Sequence, residues 1–221
     1  MLRIKICGIT KLEDALGAEK LGADAIGFVI FEKSPRNVSL DTAAEIAGRL
    51  QSHVAKVGVF VAPDPAFVEK VVQTVGLDVV QIHGVSEPGK MAEYNHRPLV
   101  AAIPVKDESA VGIVARFKPL TDAILLDAYH PSLHGGTGKV FNWALGAKMA
   151  RDSRIILAGG LTPENIQEAV DTVNPYAVDI SSGVEAVPGV KDHDKLTKFF
   201  NNLRECRREW KSERDRLFPV A

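Results

Sequence analysis

Short apolar runs rich in Val, Ile, Leu and Ala return at regular intervals along the chain, separated by longer polar segments. They lie at about residues 3–6, 25–30, 56–61, 78–82, 99–104, 123–127, 154–158 and 177–180. Each run has the length of a strand, and most are apolar throughout, as is typical of parallel strands that are covered on both faces. The pattern predicts eight buried parallel strands.

The segments between these runs carry helix start signals. These are Thr10 with Glu13 as a capping box, Ser39 before residues 40–50, and the pairs Asp64-Pro65 and Thr162-Pro163. Eight strand–helix units predict an α/β fold, a single-domain (β/α)8 TIM barrel of the phosphate-binding type. A doubly wound parallel sheet is the alternative.

The last residues differ from the rest of the chain. We predict a barrel catalytic domain over residues 1–204, followed by a charged C-terminal helical extension over 205–221. A charge run of this kind is typical of a solvated helix face, and partner binding is the alternative. Cys206 lies in the extension and is expected to have no role.

Composition narrows the classes of function. Among 221 residues the formal net charge is -1 and only two cysteines occur, Cys7 and Cys206. The charge balance argues against a nucleic-acid partner, and the cysteine count argues against a disulfide framework. No signal peptide or membrane span is visible, so we expect a cytoplasmic protein without a membrane partner.

Two proton-transfer groups stand at strand ends. Cys7 follows the first apolar run and precedes Gly8, while Asp127 follows residues 123–126. In a parallel barrel these ends meet at one face, where the active site lies. Cys7 and Asp127 are therefore predicted to form an acid/base pair. Asp127 opens a glycine-rich loop, residues 128–139, which we expect to act as a mobile lid.

Two later loops suit a phosphate group. Gly159 and Gly160 lead into a capped helix after the seventh run, and Ser181, Ser182 and Gly183 follow the eighth. Glycine lets backbone amides approach an anion closely, and a helix N-terminus adds partial positive charge. Tight turns without a ligand are the alternative, but two adjacent loops of this kind favour phosphate binding.

Two further strand ends carry candidate binding groups. Arg36 lies in the loop after the second run, and its planar guanidinium suits a carboxylate. His83 follows the fourth run, and we expect it to form hydrogen bonds because no second histidine or cysteine lies at ligand spacing. No metal and no cofactor are expected.

Several motifs together resemble the phosphoribosylanthranilate isomerase family of tryptophan biosynthesis, in order from residue 1 to about 200. The motifs are Lys5-Ile6-Cys7-Gly8-Ile9-Thr10, Ser34-Pro35-Arg36, Gln81-Ile82-His83-Gly84, Gly135-Gly136-Thr137-Gly138, Leu157-Ala158-Gly159-Gly160-Leu161, Val178-Asp179-Ile180-Ser181-Ser182-Gly183-Val184-Glu185 and Pro188-Gly189-Val190-Lys191-Asp192.

The resemblance implies an Amadori rearrangement of N-(5'-phosphoribosyl)anthranilate to 1-(2-carboxyphenylamino)-1-deoxyribulose 5-phosphate, without cofactor or metal. By position, Asp127 would be the general acid at the furanose ring oxygen and Cys7 the general base at C2'. Arg36 would bind the anthranilate carboxylate, and His83 with the two glycine-rich loops would complete the phosphosugar site. Cys7 would then have to be partly thiolate near neutrality, and the pKa of Asp127 would have to be raised.

The sequence also departs from the family pattern and leaves rival functions open. Asn142 stands where the family usually has aspartate, and the C-terminal extension is longer than usual. The histidine-pathway sugar isomerase is one rival, although it resembles a pattern with aspartate at the position of Cys7. A non-catalytic phosphosugar-binding subunit is a second rival, and a metal-dependent sugar-phosphate epimerase is a third. The sequence is compatible with a monomer or a homodimer.

Overall fold

The computed structural model describes residues 2–94, 98–128, 142–204 and 217. Eight parallel strands form a closed barrel in chain order, in which β8 pairs with β1. The strands are β1 Arg3–Cys7, β2 Ala25–Val29, β3 Ala55–Val61, β4 Val79–His83, β5 Leu99–Val105, β6 Ala123–Ala128, β7 Ile155–Leu157 and β8 Ala177–Ile180. The (β/α)8 prediction is confirmed, and closure of the sheet excludes the doubly wound alternative.

Helices surround the barrel and connect its strands. They are α1 Leu12–Leu21, α2 Leu40–Ala47, α3 Pro65–Val75, α4 Ser109–Phe117, α5 Trp143–Ala150, α6 Ile166–Val173 and α7 His193–Asn202. A short antiparallel hairpin, β9 Glu185–Val187 and β10 Val190–Lys191, lies between β8 and α7.

The connection from β4 to β5 departs from the expected repeat. In its described part it forms a 3-10 helix, Pro88–Tyr94, rather than an α-helix. Pro88 and Gly89 open this segment and Pro98 closes it, and both residue types disfavour a continuous α-helix. The prediction of eight strand–helix units is therefore wrong at the fourth unit.

Two of the four predicted helix starts form as expected. Asp64 accepts hydrogen bonds from the amides of Ala66 and Phe67, and Ser39 accepts one from Thr42. Both side chains satisfy amide groups that the first helical turn leaves without partners. After β7, the Thr162 hydroxyl accepts from two following amides, but α6 begins only at Ile166.

The predicted capping box before α1 does not form. The residue at the N-cap is Lys11, which makes no side-chain capping bond. The hydroxyl of Thr10 instead donates to the carbonyl of Gly189 in the β9–β10 hairpin. The Thr10 side chain therefore bonds to a residue 179 positions away in the chain instead of capping the helix that follows it.

The core has two layers, one inside the barrel and one between the barrel and its helices. Ile4 and Ile6 on β1, with Leu2 just before it, belong to the outer layer. Cys7 belongs to the inner layer, and Lys5 on the same side of the strand is fully buried. Strand β1 thus alternates strictly and brings polar groups into the barrel.

The C-terminal extension is described at one residue. Residues 205–216, including Cys206, and 218–221 lie outside the described residues, so the helical extension stays a prediction. Leu217 is 1% exposed and packs against the inner layer. Among the described helices, none has both the length and the apolar character to cross a membrane.

Candidate active site

A cavity opens at the carboxyl ends of the strands, with about 800 Å³ of space that is partly open to solvent. Its size is that of a small-molecule site. Its polar lining residues are Cys7, Ser34, Arg36, Gln81, His83, Asp127, Gly159, Gly160, Asp179, Ser181 and Ser182. Eight of the nine site residues expected from sequence are thus brought together; Gly183 does not line the cavity.

Cys7 ends β1 and is 8% exposed. It lies beside Gly27 of β2 in the strand register. A Cβ at Gly27 would lie 2.8 Å from Cys7 Sγ and 3.0 Å from Lys5 Cε. Glycine at this position therefore leaves the space in which the thiol and the lysine side chain lie.

Lys5 forms a buried ion pair with Asp179. The two residues are register neighbours on β1 and β8, and Lys5 Nζ donates to Asp179 Oδ2 at 2.7 Å. Burial alone lowers the pKa of Lys5, but attraction to Asp179 and Cys7 outweighs it and raises this pKa above its usual range. The lysine is therefore a fixed positive charge beside the thiol.

Burial decides the protonation state of Cys7. It raises the pKa of the thiol, with a further contribution from the charge of Asp179; Lys5 and Lys191 oppose the shift without reversing it. The expectation of a partly ionised thiol near neutrality is therefore wrong for the ligand-free protein. The reason is that burial of the thiol, with the negative charge of Asp179, outweighs the effect of the two nearby lysines.

The pKa of Asp127 is raised, as the sequence argument required. Burial and the neighbouring charge of Asp179 raise its pKa to about 6, against a smaller opposing effect of the Ala128 amide and Lys5. Gly159 makes room for this carboxyl, since a Cβ there would lie 2.8 Å from Asp127 Oδ1. The prediction of a raised pKa at Asp127 is confirmed.

The two glycine-rich loops face the cavity with backbone amides. Gly159 and Gly160 both adopt positive φ angles, 79° and 69°. The amides of Gly160, Ser182 and Gly183 donate to no described residue. Amide groups left without partners at a cavity wall are suited to an anion such as phosphate.

Gly183 has a packing role in addition to the expected one. A Cβ at this position would collide with the carbonyl oxygen of Leu161. Its missing side chain lets the loop after β8 pack directly against the loop after β7. Gly183 therefore brings the two anion-binding loops together, and it directly follows Ser182, which lines the cavity.

His83 is fixed by a neighbour on its own strand. Its Nε2 lies 2.9 Å from Gln81 Nε2, and both residues line the cavity. This contact holds the two side chains together at the cavity wall. Within the described ranges, no group of three or more His, Cys, Asp or Glu side chains is arranged to hold a metal ion.

Arg36 is held by Glu185 of the hairpin. Its Nε and Nη2 donate to Glu185 Oε1 and Oε2 at 2.8 and 2.7 Å. Lys191 Nζ donates to Glu185 Oε1 at 3.0 Å. Burial opposes ionisation of Glu185, but these two cations lower its pKa below the usual range. Arg36 therefore reaches the cavity as part of a buried ionic cluster.

The departure at Asn142 has a local explanation. Its side chain is the N-cap of α5 and accepts a hydrogen bond from the Ala144 amide. Asn and Asp serve this position about equally well. The expected lid, residues 128–139, lies outside the described residues from 129 onward, including 135–138.

Sequence reasoning missed five residues of the site. They are Lys5, Gln81, Asp179, Glu185 and Lys191. The first three lie on strands: Lys5 and Gln81 stand two positions before Cys7 and His83, and Asp179 pairs with Lys5 in the register. The alternation of side chains along a strand could have placed these three inside the barrel. The two hairpin residues carry no such alternation signal: Glu185 meets Arg36, which is distant in sequence, and Lys191 joins the site through Glu185.

Comparison with protein families matches this chain over residues 4–202 to the family model described as N-(5'-phosphoribosyl)anthranilate (PRA) isomerase. The N-(5'-phosphoribosyl)anthranilate isomerase of Pelobacter propionicus is 46% identical over 209 residues, covering 95% of this chain and 99% of that protein. The enzyme of the same name from Geobacter sulfurreducens is 46% identical over 204 residues, covering 92% and 99%.

Solved structures agree with these similarities. The crystal structure of phosphoribosyl anthranilate isomerase from Thermotoga maritima superposes with a TM-score of 0.87 at 40% identity, covering 93% of this chain and 100% of that one. A phosphoribosyl anthranilate isomerase in complex with reduced 1-(o-carboxyphenylamino)-1-deoxyribulose 5-phosphate superposes with a TM-score of 0.83 at 39% identity, again covering 93% and 100%.

Proposed function

The chain belongs to the N-(5'-phosphoribosyl)anthranilate isomerase family, and we propose that Asp127 and Cys7 are the acid and the base of its reaction. The protein is an aldose–ketose isomerase of tryptophan biosynthesis. The observation that supports the assignment is that both groups line one cavity, with the pKa of Asp127 raised to about 6.

The first step needs a proton donor. Asp127 protonates the furanose ring oxygen, the ring bond breaks, and the electrons of the anthranilate nitrogen complete a Schiff base. An ordinary carboxyl, with a pKa of about 3.9, would hold almost no proton at neutral pH. Burial of Asp127 raises its pKa enough to keep a useful protonated fraction.

The second step needs a proton acceptor. Cys7 removes the proton from C2', giving an enolamine that tautomerises to the ketone product. The reactive pair is thus a thiolate with a carboxylic acid, whereas the ligand-free protein favours a thiol with a carboxylate at neutral pH. The two forms carry the same total charge and differ only in where one proton lies.

Substrate groups at the two ends would fix the reacting atoms between these residues. Arg36 binds the anthranilate carboxylate, and the amides of Gly160, Ser182 and Gly183 bind the phosphate. Asp179 Oδ1 is buried and accepts no hydrogen bond from any described residue, so it is available to a sugar hydroxyl. Anchoring at both ends supplies the orientation that acid/base catalysis requires.

Turnover of freshly made phosphoribosylanthranilate tests the assignment. We expect Cys7→Ala and Asp127→Ala each to lower kcat by at least about a hundredfold. Arg36→Ala should mainly raise KM. Equal effects of all three on KM would contradict this division of roles. Activity that disappears with chelator would instead favour the metal-dependent epimerase, and binding without turnover in the wild type would favour the binding subunit.

Two further properties are also proposals. A Thermotoga maritima relative at 39% identity is described as dimeric phosphoribosylanthranilate isomerase from which monomers were generated. We propose a monomer or homodimer here, which light scattering distinguishes. A cytoplasmic location is likewise proposed and is testable by cell fractionation.

A further inference from the structure

Arg36 has one edge of its guanidinium occupied and one available. Nε and Nη2 form a two-point contact with Glu185, while Nη1 donates to no described residue. The free edge, Nη1 with the second hydrogen of Nη2, can bind another carboxylate at two points. The arginine side chain is 14% exposed and lines the cavity, so this edge is the one that a ligand can reach.

Glu185 is itself held in place. Its carbonyl accepts from Lys195 Nζ at 2.9 Å, and its carboxylate accepts from Lys191 Nζ and from the Gly189 amide. The carboxylate is 4% exposed and accepts hydrogen bonds at both oxygens. An anchored carboxylate of this kind fixes the plane of the guanidinium that it contacts.

The stem of Arg36 is constrained as well. A Cβ at Gly8 would lie 2.7 Å from Arg36 Cδ, so the stem crosses the backbone just after Cys7. Gly8 has a φ of 73°, which disfavours other residues independently of space. The side chain is therefore restricted both at its stem and at its charged end.

We propose that Glu185 is a positioning residue that presets the Arg36 guanidinium to recognise the carboxylate on the aromatic ring of the substrate. This inference rests on the proposed function, which assigns that carboxylate to Arg36. A free arginine side chain loses conformational freedom when it binds a ligand, whereas the fold already restricts Arg36 before the ligand arrives. Glu185 thus contributes to ligand selection without touching the ligand.

The test compares two ligands that differ in one group. The first is reduced 1-(o-carboxyphenylamino)-1-deoxyribulose 5-phosphate, and the second is the same compound without the carboxyl group. We expect Glu185→Gln to raise Kd for the first at least about tenfold and for the second by less than about threefold. In turnover, KM should rise while kcat stays within about threefold.

Two further variants separate the possible failures. Arg36→Met should abolish the preference for the carboxylated ligand. If it does not, the assignment of the carboxylate to Arg36 fails, and with it the proposed function of this residue. If Arg36→Met abolishes the preference and Glu185→Gln leaves it unchanged, only the positioning proposal is overturned.

The two ligands also distinguish positioning of Arg36 from a general effect of Glu185 on fold stability. Equal weakening of both ligands by Glu185→Gln would show that the residue only stabilises the fold and would overturn the proposal. The matched control is Asp24→Asn, which breaks a buried ion pair with Arg3 at the amino-terminal ends of the strands. It should lower stability and leave the ligand preference unchanged.

A double variant guards against misfolding of the Glu185 variant. Glu185→Gln leaves Lys191 as a buried cation without its carboxylate partner, which is costly. The double variant Glu185→Gln with Lys191→Met removes that cation. It should show the same selective loss for the carboxylated ligand, and an unchanged preference in a folded double variant would also overturn the proposal.

Discussion

Asp127→Asn should make the protein more stable at neutral pH while it abolishes catalysis. The wild-type carboxyl has its pKa raised to about 6 in the folded state, mainly by burial. The folded protein therefore holds this proton more tightly than the unfolded chain does. Protonation of Asp127 stabilises the fold fully below the unfolded pKa, and this stability is lost as pH rises through about 6.

The magnitude follows from the two pKa values. A shift from 3.8 to about 6 corresponds to about 3 kcal/mol at full ionisation. Asparagine resembles the protonated carboxyl and does not ionise. The stability gained by Asp127→Asn should therefore grow from about 0.6 kcal/mol at pH 4 to about 1.6 at pH 5, about 2.6 at pH 6 and about 3 at pH 8.

Urea unfolding of both proteins at these four pH values measures the difference. Effects of titrating groups that do not interact with Asp127 cancel between the two proteins, apart from any constant offset of asparagine. Asp107→Asn is the control, because hydrogen bonds from Ser109 lower the pKa of Asp107. The stability difference between this variant and the wild type should therefore change with pH in the opposite direction. A stability difference for Asp127→Asn that stays constant between pH 4 and pH 8 would refute the reasoning.

Three other outcomes are expected. The kcat/KM of the wild type should rise up to about pH 6, remain level, and fall only above the raised pKa of Cys7. The reason is that the reactive form, a thiolate with a carboxylic acid, and the resting form, a thiol with a carboxylate, carry the same total charge. A steep rise of kcat/KM between pH 7 and 8 would contradict this. Lys5→Met should lower the free energy of unfolding by about 3–5 kcal/mol, since it leaves Asp179 buried without its cation. A change below about 1 kcal/mol, which is typical of exposed ion pairs, would contradict this expectation. Leu217→Ala should lower the free energy of unfolding, measured in urea, by about 2–5 kcal/mol because the side chain is buried against the inner layer. The control Val187→Ala, at a side chain that is 57% exposed, should change it by less than about 0.5 kcal/mol. Equal effects of the two substitutions would disprove burial of Leu217.

The strands were predictable because their signal is local. Each predicted run ends within one residue of the observed strand, from Arg3–Cys7 to Ala177–Ile180. An apolar run of strand length in a repeating α/β pattern has few other ways to bury its side chains. The helix starts at Ser39 and Asp64 formed for the same reason, since capping side chain and amide lie within three residues.

The capping error before α1 occurs where a distant residue competes with a local one. Thr10 bonds to Gly189 instead of capping α1. The fourth connection, Pro88–Tyr94, is different, because its proline and glycine disfavour an α-helix locally and the repeat pattern alone had suggested one.

The sequence by itself determined the barrel, the strand ends and the chemical groups that stand on them, because each depends on neighbours within a few residues. Only the tertiary structure decided the protonation states of these groups. Lys5 meets Asp179 across 174 residues, and Arg36 meets Glu185 across 149. Burial and the charge of Asp179 keep Cys7 protonated and bring the pKa of Asp127 to about 6, against the opposing effect of Lys5. A pKa depends on every charge within reach and on the water excluded around it, and only the folded chain sets both.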